Sequence, residues 1–411
     1  MPFNARTTCE IQLAAAVSAI AALAVHASAQ SIVTGPGAGV QPMLRTFSSP
    51  TGIPHLNFLA FGAGATGGVR VAGAHISASL CGDLISGTGP GTTGMVKVFN
   101  GSNGSLLNSF YAYGPSYIGG VYVAAGDVTG DGISEVITGT DVGAAPHVKA
   151  FSAANSSEIR SFFAYSPGFT GGVRVASGDI TGDGIDDIIT GCGPATGSTP
   201  HVKVFDGVNG VEVRSFLAFG SGWPGGIFVA SGDINGDGRD DIIVSADAGA
   251  TPAVVAFSGV NNAVLLNTFA FESNFSGGVR IAAQDMNNDG KDDIIAARGP
   301  GGEPEVRILS GAGGAVLGSF NAEIDSFTGG CYVGGVRYPL NTCHQDIAPL
   351  PNGDDAIDVN DLLMVITNWG PCHDPQSCRA DVTPFSPGQV GDDTVDVNDL
   401  LMIITSWGAC P

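Results

Sequence analysis

The chain has 411 residues, with 38 Asp and Glu against 16 Lys and Arg, and a formal net charge of −22. This acidic balance argues against nucleic acid or anionic membrane surfaces as partners, because like charges repel. It does not indicate disorder, since much of the carboxylate excess falls at regularly spaced loop positions.

Residues 1–29 have the pattern of a cleavable signal peptide. Arg6 precedes an apolar run from Ile11 to Val25, and Ala27–Ala29 supplies the small residues that a signal peptidase reads. The run is too short for a permanent anchor, and no later segment qualifies as a membrane span. We expect an exported protein, secreted or held at the cell surface, with cleavage before Gln30.

From residue 31 to about 338 the sequence repeats with a nearly constant period. Gly-Gly pairs that open a short apolar strand end at positions 68, 120, 172, 226, 278 and 330, in steps of 52, 52, 54, 52 and 52 residues. Each repeat reads as four strands separated by Gly, Pro, Asn and Asp turns. The repeat from Gly172 has Val173–Ala176, Asp187–Thr190, His201–Phe205 and Glu212–Phe219. Such repeats predict the blades of a mainly β propeller.

The two ends of the array predict how the ring closes. Ser31–Gly35, Gln41–Phe47 and Asn57–Phe61 match strands 2, 3 and 4 of a repeat whose strand 1 does not precede them. Gly329–Gly334 supplies a strand 1 after the last full repeat. We therefore predict a six-bladed β-propeller over residues 30–338, in which strands from both ends close the sixth blade.

An acidic nine-residue loop joins strands 1 and 2 in four repeats. It carries oxygen-bearing side chains at positions 1, 3, 5 and 9 and Gly at position 6. This spacing suits a hard cation, because those side chains and the carbonyl of position 7 can converge on one ion. The predicted calcium ligands are Asp127, Thr129, Asp131, Ile133 and Glu135; Asp179, Thr181, Asp183, Ile185 and Asp187; Asp233, Asn235, Asp237, Arg239 and Asp241; and Asp285, Asn287, Asp289, Lys291 and Asp293.

Calcium is favoured over other metals, and one alternative needs no metal. Magnesium usually keeps more water molecules as ligands, and zinc is usually bound by Cys or His side chains, which these loops lack. Without a metal the loops are acidic hairpin turns, since Asp and Gly are common turn residues. In the first full repeat His75, Ser77, Ser79 and Asp83 replace the acidic set. We expect no calcium there and a structural role for calcium elsewhere.

The second residue after each Gly-Gly pair alternates between Arg and an aromatic residue. Because strand 1 is innermost in a propeller, these side chains are expected to stack around the axis. We interpret the alternation as packing rather than as a ligand site, and His147 and His201 as strand variation. The alternating residues are Arg70, Tyr122, Arg174, Phe228, Arg280 and Tyr332.

These repeats resemble FG-GAP or VCBS repeats, the calcium-loop blades also found in the propeller of integrin α subunits. The resemblance is carried by Ala60–Gly62 and Ala218–Gly220 after strand 4, and by Gly143–Pro146 and Gly249–Pro252 before strand 3. Integrin propellers have seven blades, whereas six are predicted here. The resemblance implies extracellular adhesion or ligand binding, with calcium holding the blades, but no motif transfers the integrin ligand residues.

Residues 343–411 form a separate small module with two copies of one pattern. Asp358–Gly370 and Asp396–Gly408 each start with acidic residues and continue with apolar residues at a helical period. The two predicted helices can bury their apolar faces against each other. The linker lies near Tyr338–Thr342.

This pair resembles a bacterial dockerin, a duplicated calcium loop and helix related to the EF-hand, whose partner is a cohesin module. A regular dockerin loop begins with Asp, where this chain has Leu350 and Gly388. The alternative is that Asp358 and Asp396 cap their helices without a metal. The resemblance implies calcium ligands at Asp354, Asp358, Asp361, Asp392, Asp396 and Asp399.

The cysteines agree with export. Cys343 and Cys372 bracket the first copy of the module, and Cys378 and Cys410 bracket the second, so we predict these two disulfides. Cys81, Cys192 and Cys331 have no assigned partner.

Two classes of function remain open from sequence. The favoured one is a secreted, calcium-binding, non-enzymatic interaction protein, whose propeller binds a protein or glycan and whose C-terminal module docks to a scaffold or surface. The alternative is a glycan-processing enzyme or an accessory subunit of a polysaccharide-degrading complex. No nucleophile motif appears, and the recurrent carboxylates are already assigned to loops.

Overall fold

The computed structural model describes residues 31–48, 52–77, 82–196, 198–220, 223, 225–322 and 327–336, and the backbone of four two-residue strands closer to the C-terminus. The chain divides into two compact units. One is Gln30–Tyr338, and the other combines Met1–Ala29 with Pro339–Pro411. Among the described residues no helix is long and apolar enough to cross a membrane.

Six four-stranded antiparallel sheets form the blades of a propeller, as the repeat pattern predicts. Blade 6 takes the first three strands, β1 (Ser31–Pro36), β2 (Met43–Ser48) and β3 (Ile53–Leu59), and the blades that follow are taken in chain order. Blade 1 has β4 (Val69–Ala74), β5 (Asp83–Thr88), β6 (Met95–Asn100) and β7 (Leu106–Tyr111); blade 2 has β8 (Val121–Gly126), β9 (Glu135–Thr140), β10 (His147–Phe151) and β11 (Glu158–Phe163); blade 3 has β12 (Val173–Gly178), β13 (Asp187–Cys192), β14 (His201–Phe205) and β15 (Glu212–Leu217); blade 4 has β16 (Ile227–Gly232), β17 (Asp241–Ala246), β18 (Ala253–Phe257) and β19 (Val264–Phe269); blade 5 has β20 (Val279–Gln284), β21 (Asp293–Arg298), β22 (Glu305–Leu309) and β23 (Val316–Asn321); and β24 (Cys331–Gly335) completes blade 6.

The ring is closed by strands from both ends of the array. In blade 6 the sheet order is β24-β1-β2-β3, and Val333 of β24 lies opposite Thr34 of β1. The innermost strands β4, β8, β12, β16, β20 and β24 contact one another in that order, and β24 also contacts β4. Closure therefore places the two predicted fragments in one blade and leaves no gap between blades 6 and 1.

The burial of the strands follows their distance from the axis. Inner strands such as β13 and β17 are buried along their whole length, because neighbouring blades cover both faces. The outer strands β15 and β23 alternate between exposed and half-buried residues. Strand 4 of blade 3 ends at Leu217, two residues before the predicted end, because the next partner, Pro200, accepts from the N–H of Ala218 but has no N–H to donate back.

The C-terminal unit contains four two-residue strands that pair reciprocally. β25 (Ala356–Ile357) pairs with β28 (Gly408–Ala409), and β26 (Gly370–Pro371) pairs with β27 (Thr394–Val395). Each copy of the duplicated pattern thus pairs its leading strand with the trailing strand of the other copy. The predicted helices, dockerin-type ligands and disulfides of this unit, and the signal peptide, lie outside the described residues.

Candidate calcium loops and the axial ring

Each acidic loop curls around the carboxylate of its first aspartate. The Asp179 carboxylate accepts the backbone N–H groups of Gly182, Asp183 and Gly184 at 2.6, 3.1 and 2.9 Å. Gly182 and Gly184 have φ values of 76° and 84°, which a side chain would strain. The loops from Asp127 and Asp233 repeat all three contacts, and the loop from Asp285 repeats two of them.

The ninth residue of each loop is a buried carboxylate that fixes the loop to its blade. Asp187 is only 1% exposed and accepts the N–H groups of Ile180, Thr181 and Gly207. Gly207 lies in the turn between strands 3 and 4, so one side chain joins two loops of the blade. Asp241 and Asp293 each make two equivalent bonds, to the second residue of the loop and to the glycine of the turn between strands 3 and 4.

The loop carboxylates repel one another. Burial and the nearby carboxylates of positions 1 and 5 raise the pKa of Glu135 to about 7. Burial is also the main cause that raises the pKa of Asp187, Asp241 and Asp293 to about 6, with loop aspartates adding to it. Within the described part of the chain, no Lys or Arg forms an ion pair with these loop carboxylates.

Acidic oxygen donors at this spacing, without a cationic side chain to neutralise them, fit a hard divalent cation. Positions 1, 3, 5 and 9 would hold calcium through side chains and position 7 through its carbonyl, and the ion would supply the missing positive charge. The described residues contain no ready-assembled group of three His, Cys, Asp or Glu side chains for a metal. The calcium ligands therefore stay a prediction from spacing and charge.

The eighth residue of each loop was missed by sequence reasoning. The Asp186 carboxylate accepts the N–H of Asp127 in the preceding blade at 3.0 Å, and the N–H of Asp186 donates back to the Asp127 carbonyl at 2.9 Å. Asp240 makes the same paired bonds with Asp179, and Asp292 with Asp233. The loops are thus joined blade to blade along one rim of the propeller. The repeated Asp-Asp doublet was the signal available in the sequence.

In blade 1 the described part of the equivalent loop keeps only the position-9 carboxylate, Asp83. Both oxygens of Asp83 are used inside the loop, by the N–H groups of Ile76 and Ser77 and by the Ser77 hydroxyl. His75 is joined to Ser134 of the next blade by backbone and hydroxyl bonds. Asp83 thus makes the same position-9 bonds as Asp187, although this loop carries no other carboxylate at its ligand positions.

Substitution of Asp83 and of Asp187 by alanine should separate the two kinds of loop. Each change leaves buried backbone N–H groups without an acceptor, which costs roughly 1–3 kcal/mol of stability. We expect the loss for Asp83→Ala to be the same in calcium and in chelator, and the loss for Asp187→Ala to be larger in calcium. Urea unfolding under both conditions measures this, and an equal calcium response for the two variants would contradict the assignment.

The six axial residues form a closed ring of alternating charge and aromatic surface. The Arg70 guanidinium lies 5.1 Å from the Tyr122 ring centroid and 5.0 Å from that of Tyr332. Arg174 lies between Tyr122 and Phe228 at 5.1 and 5.0 Å, and Arg280 between Phe228 and Tyr332 at 5.3 Å from each. The predicted stacking is confirmed, and each contact contributes about 0.5–2 kcal/mol.

His147 and His201 occupy equivalent places in blades 2 and 3. Each imidazole Nε2 lies within hydrogen-bond distance of a serine on the neighbouring strand, Ser161 at 2.9 Å and Ser215 at 2.7 Å. Burial and the adjacent lysine lower the pKa of both histidines. These contacts lie within one blade and are consistent with strand variation.

Glu272 and Glu305 are two carboxylates outside the loops that share the same cations. Both pair with Arg298 and Arg307, and hydrogen bonding from Arg307 is the main cause that lowers the pKa of Glu272 to about 2. A glycosidase general acid needs a raised pKa. Glu272 therefore lacks the raised pKa that a general acid needs.

Comparisons with known proteins agree with the repeat pattern. Residues 233–296 match the model of the FG-GAP-like repeat, a stretch that contains the loops from Asp233 and Asp285. Blades 4 and 5 of the ring therefore contain a stretch similar to the FG-GAP-like repeat. Integrin alpha-V of Gallus gallus is 28% identical over 152 residues, which make up 34% of this chain and 15% of the integrin. This chain thus resembles a small part of a much longer relative.

Two solved structures are similar at a level that carries no functional argument. A rhamnogalacturonan lyase, YesW, has a TM-score of 0.33 and 14% identity, over 69% of this chain and 61% of the lyase. The V. cholerae biofilm matrix protein Bap1 also has a TM-score of 0.33 and 18% identity. The match covers 62% of this chain and 39% of the Bap1 chain.

Proposed function

We propose that the protein is an extracellular, calcium-binding interaction protein without enzymatic activity. Its FG-GAP propeller binds a protein or glycan, calcium holds four loops on one rim, and the C-terminal module docks to a scaffold or surface. The observation that carries this proposal is the rim itself. Four acidic loops are linked blade to blade through Asp186, Asp240 and Asp292. Their carboxylates at positions 1, 5 and 9 form no ion pair with Lys or Arg among the described residues.

The loops hold structure more than they offer a binding surface. Their position-1 and position-9 carboxylates already accept backbone N–H groups, and blade 1 keeps the position-9 carboxylate, Asp83, with His75 at position 1. The face of the ring opposite the acidic loops carries the turns between strands 2 and 3 of each blade and the turns from strand 4 of one blade to strand 1 of the next. These turns differ from blade to blade, as in Ala63–Thr66, Pro115–Ile118 and Ser273–Ser276. We place the ligand surface on that face.

The integrin likeness favours a protein or glycan ligand over a reaction. A propeller alone does not decide function, because the same fold carries many activities. The sequence resemblance to a dockerin adds a cohesin-like module as a candidate partner of residues 343–411. Export by the predicted signal peptide is consistent with both partners.

A glycan, protein and cohesin binding array tests this proposal. We expect the full-length protein to bind at least one protein or glycan class in calcium and to lose most of that binding in chelator. Deletion of residues 343–411 should remove only the cohesin signal, because the propeller surface stays intact. Release of shortened oligosaccharides from the glycan arm, together with unchanged binding in chelator, would favour the enzyme alternative.

A further inference from the structure

Two of the three axial arginines have a carboxylate partner in the next blade. Arg70 Nη2 donates to Asp141, and Arg174 Nη2 donates to Asp247 at 2.5 Å. Both arginines are buried, with 5% and 4% of their surfaces exposed. A cation removed from water needs a hydrogen-bonded counter-ion, and each aspartate supplies one.

Arg280 has no such partner. The N–H of Asp141 donates to the carbonyl of Gly120, and in blade 6 the N–H of Gly37 makes the matching bond to Gly330 at 2.7 Å. Gly37 therefore occupies in blade 6 the position, just after strand 2, that Asp141 occupies in blade 2 and Asp247 in blade 4. In the part of the chain that the structure describes, no carboxylate forms an ion pair with Arg280.

The backbone is shaped to keep this arrangement. A Cβ atom on Gly37 would lie 2.0 Å from the carbonyl oxygen of Gly329, so a side chain cannot stand there without a backbone shift. A Cβ atom on Gly299 would lie 1.6 Å from Nη1 of Arg280, so glycine at that position makes room for the guanidinium. The fold thus seats the third arginine like the other two but gives it no carboxylate from residue 37.

The side of the axial ring without a carboxylate is also the side that solvent reaches. Arg280 and Tyr332 are partly exposed, whereas Tyr122 and Phe228 are buried like the other two arginines. The Arg280 guanidinium is held in place by the carbonyl of Gly277, which accepts from Nη1 at 3.1 Å, and by the two flanking rings. A ligand would meet a donor group that is already oriented.

We propose that Arg280 binds a carboxylate group of an external ligand, in the place that Asp141 and Asp247 take for the other two arginines. A guanidinium donates two parallel N–H groups that match a carboxylate, and the Tyr332 ring borders the same place. The axial ring carries three arginines and two aspartates, so one carboxylate completes its charge balance. This inference goes beyond the proposed calcium-dependent interaction, because it needs no metal and names a chemical group of the ligand.

Acetate is the smallest probe of this site. At saturating calcium and fixed ionic strength, replacing chloride by acetate should raise the thermal midpoint of the full-length protein and give a saturation-transfer NMR signal from acetate. Arg280→Gln should lose both effects. Arg214→Gln removes the same charge from an outer strand, where the side chain bonds to Ser258 and Gly259, and should keep both. An equal acetate response in all three proteins, or none in the unaltered protein, would overturn the proposal.

A gain-of-site variant tests the same idea without altering Arg280. Asp247→Gly reproduces in blade 4 the arrangement found at Gly37, so the freed Arg174 should take a second carboxylate. We expect the rise in thermal midpoint with acetate to be roughly twice that of the parent, following the mass-action relation for two sites. A rise no greater than that of the parent would contradict the proposal. Glucuronate and N-acetylglutamate then distinguish a sugar-borne from a peptide-borne carboxylate.

Discussion

Val333→Asp should cost the propeller roughly 3–5 kcal/mol, a large part of the stability of a typical domain. Val333 lies in the closing strand β24 with 6% of its surface exposed, in a cluster with Ile32, Phe47 and Ile295. A carboxylate there would be buried without a partner. Because this cluster joins residues of blade 5 to residues of blade 6, the loss should open the ring between these two blades. Denaturant unfolding measures the change.

Val316→Asp is the matched control for this prediction. Val316 begins the outer strand β23 and is 58% exposed, so the same substitution leaves the new carboxylate in water. We expect its effect to stay within about 0.5 kcal/mol. If the two variants unfold at the same denaturant concentration, β24 does not hold the ring closed and the closure through blade 6 is wrong.

Loss of the four position-5 aspartates should remove the dependence of stability on calcium. Each loop that binds calcium adds about 2.7 kcal/mol when free calcium is 100 times its dissociation constant. Alanine at Asp131, Asp183, Asp237 and Asp289 removes one ligand from every loop. We expect the parent protein to melt at a much higher temperature in calcium than in chelator, and the quadruple variant to melt at similar temperatures in both.

The control for this experiment comes from the same loops. Position 5 lies at the exposed tip, and its carboxylate mainly accepts the N–H two residues later, as Asp183 does from Ile185. In chelator the quadruple variant should therefore unfold close to the parent. A variant that is already much less stable than the parent in chelator would show that these aspartates act through the hydrogen bonds of the loop rather than through a metal.

The fold was largely predictable because the repeat is regular. A constant Gly-Gly spacing fixes four strands per blade, and the unmatched fragments at Ser31 and Gly329 fix the closure. The Arg and aromatic alternation was also visible, since it falls at one register position of strand 1. These features depend on local turns and on side-chain alternation, which sequence reports directly.

The contacts between blades could not be predicted from the same pattern. The Asp186 side chain belongs to its own loop in sequence but bonds to Asp127, which is 59 residues away in the preceding blade. The difference between Gly37 and Asp141 likewise matters only because the next blade brings an arginine beside it. Such pairings depend on how blades are tilted and spaced, and a single strand pattern carries no information on either.

Calcium stoichiometry tests the central claim most directly. Isothermal titration of the metal-free, full-length protein, with the bound metal counted by elemental analysis, should give four propeller sites in addition to any sites in residues 343–411. The quadruple variant at Asp131, Asp183, Asp237 and Asp289 should lose those four and keep the rest. Retention of all calcium by the quadruple variant would contradict the account, because the ions would then lie outside the acidic loops.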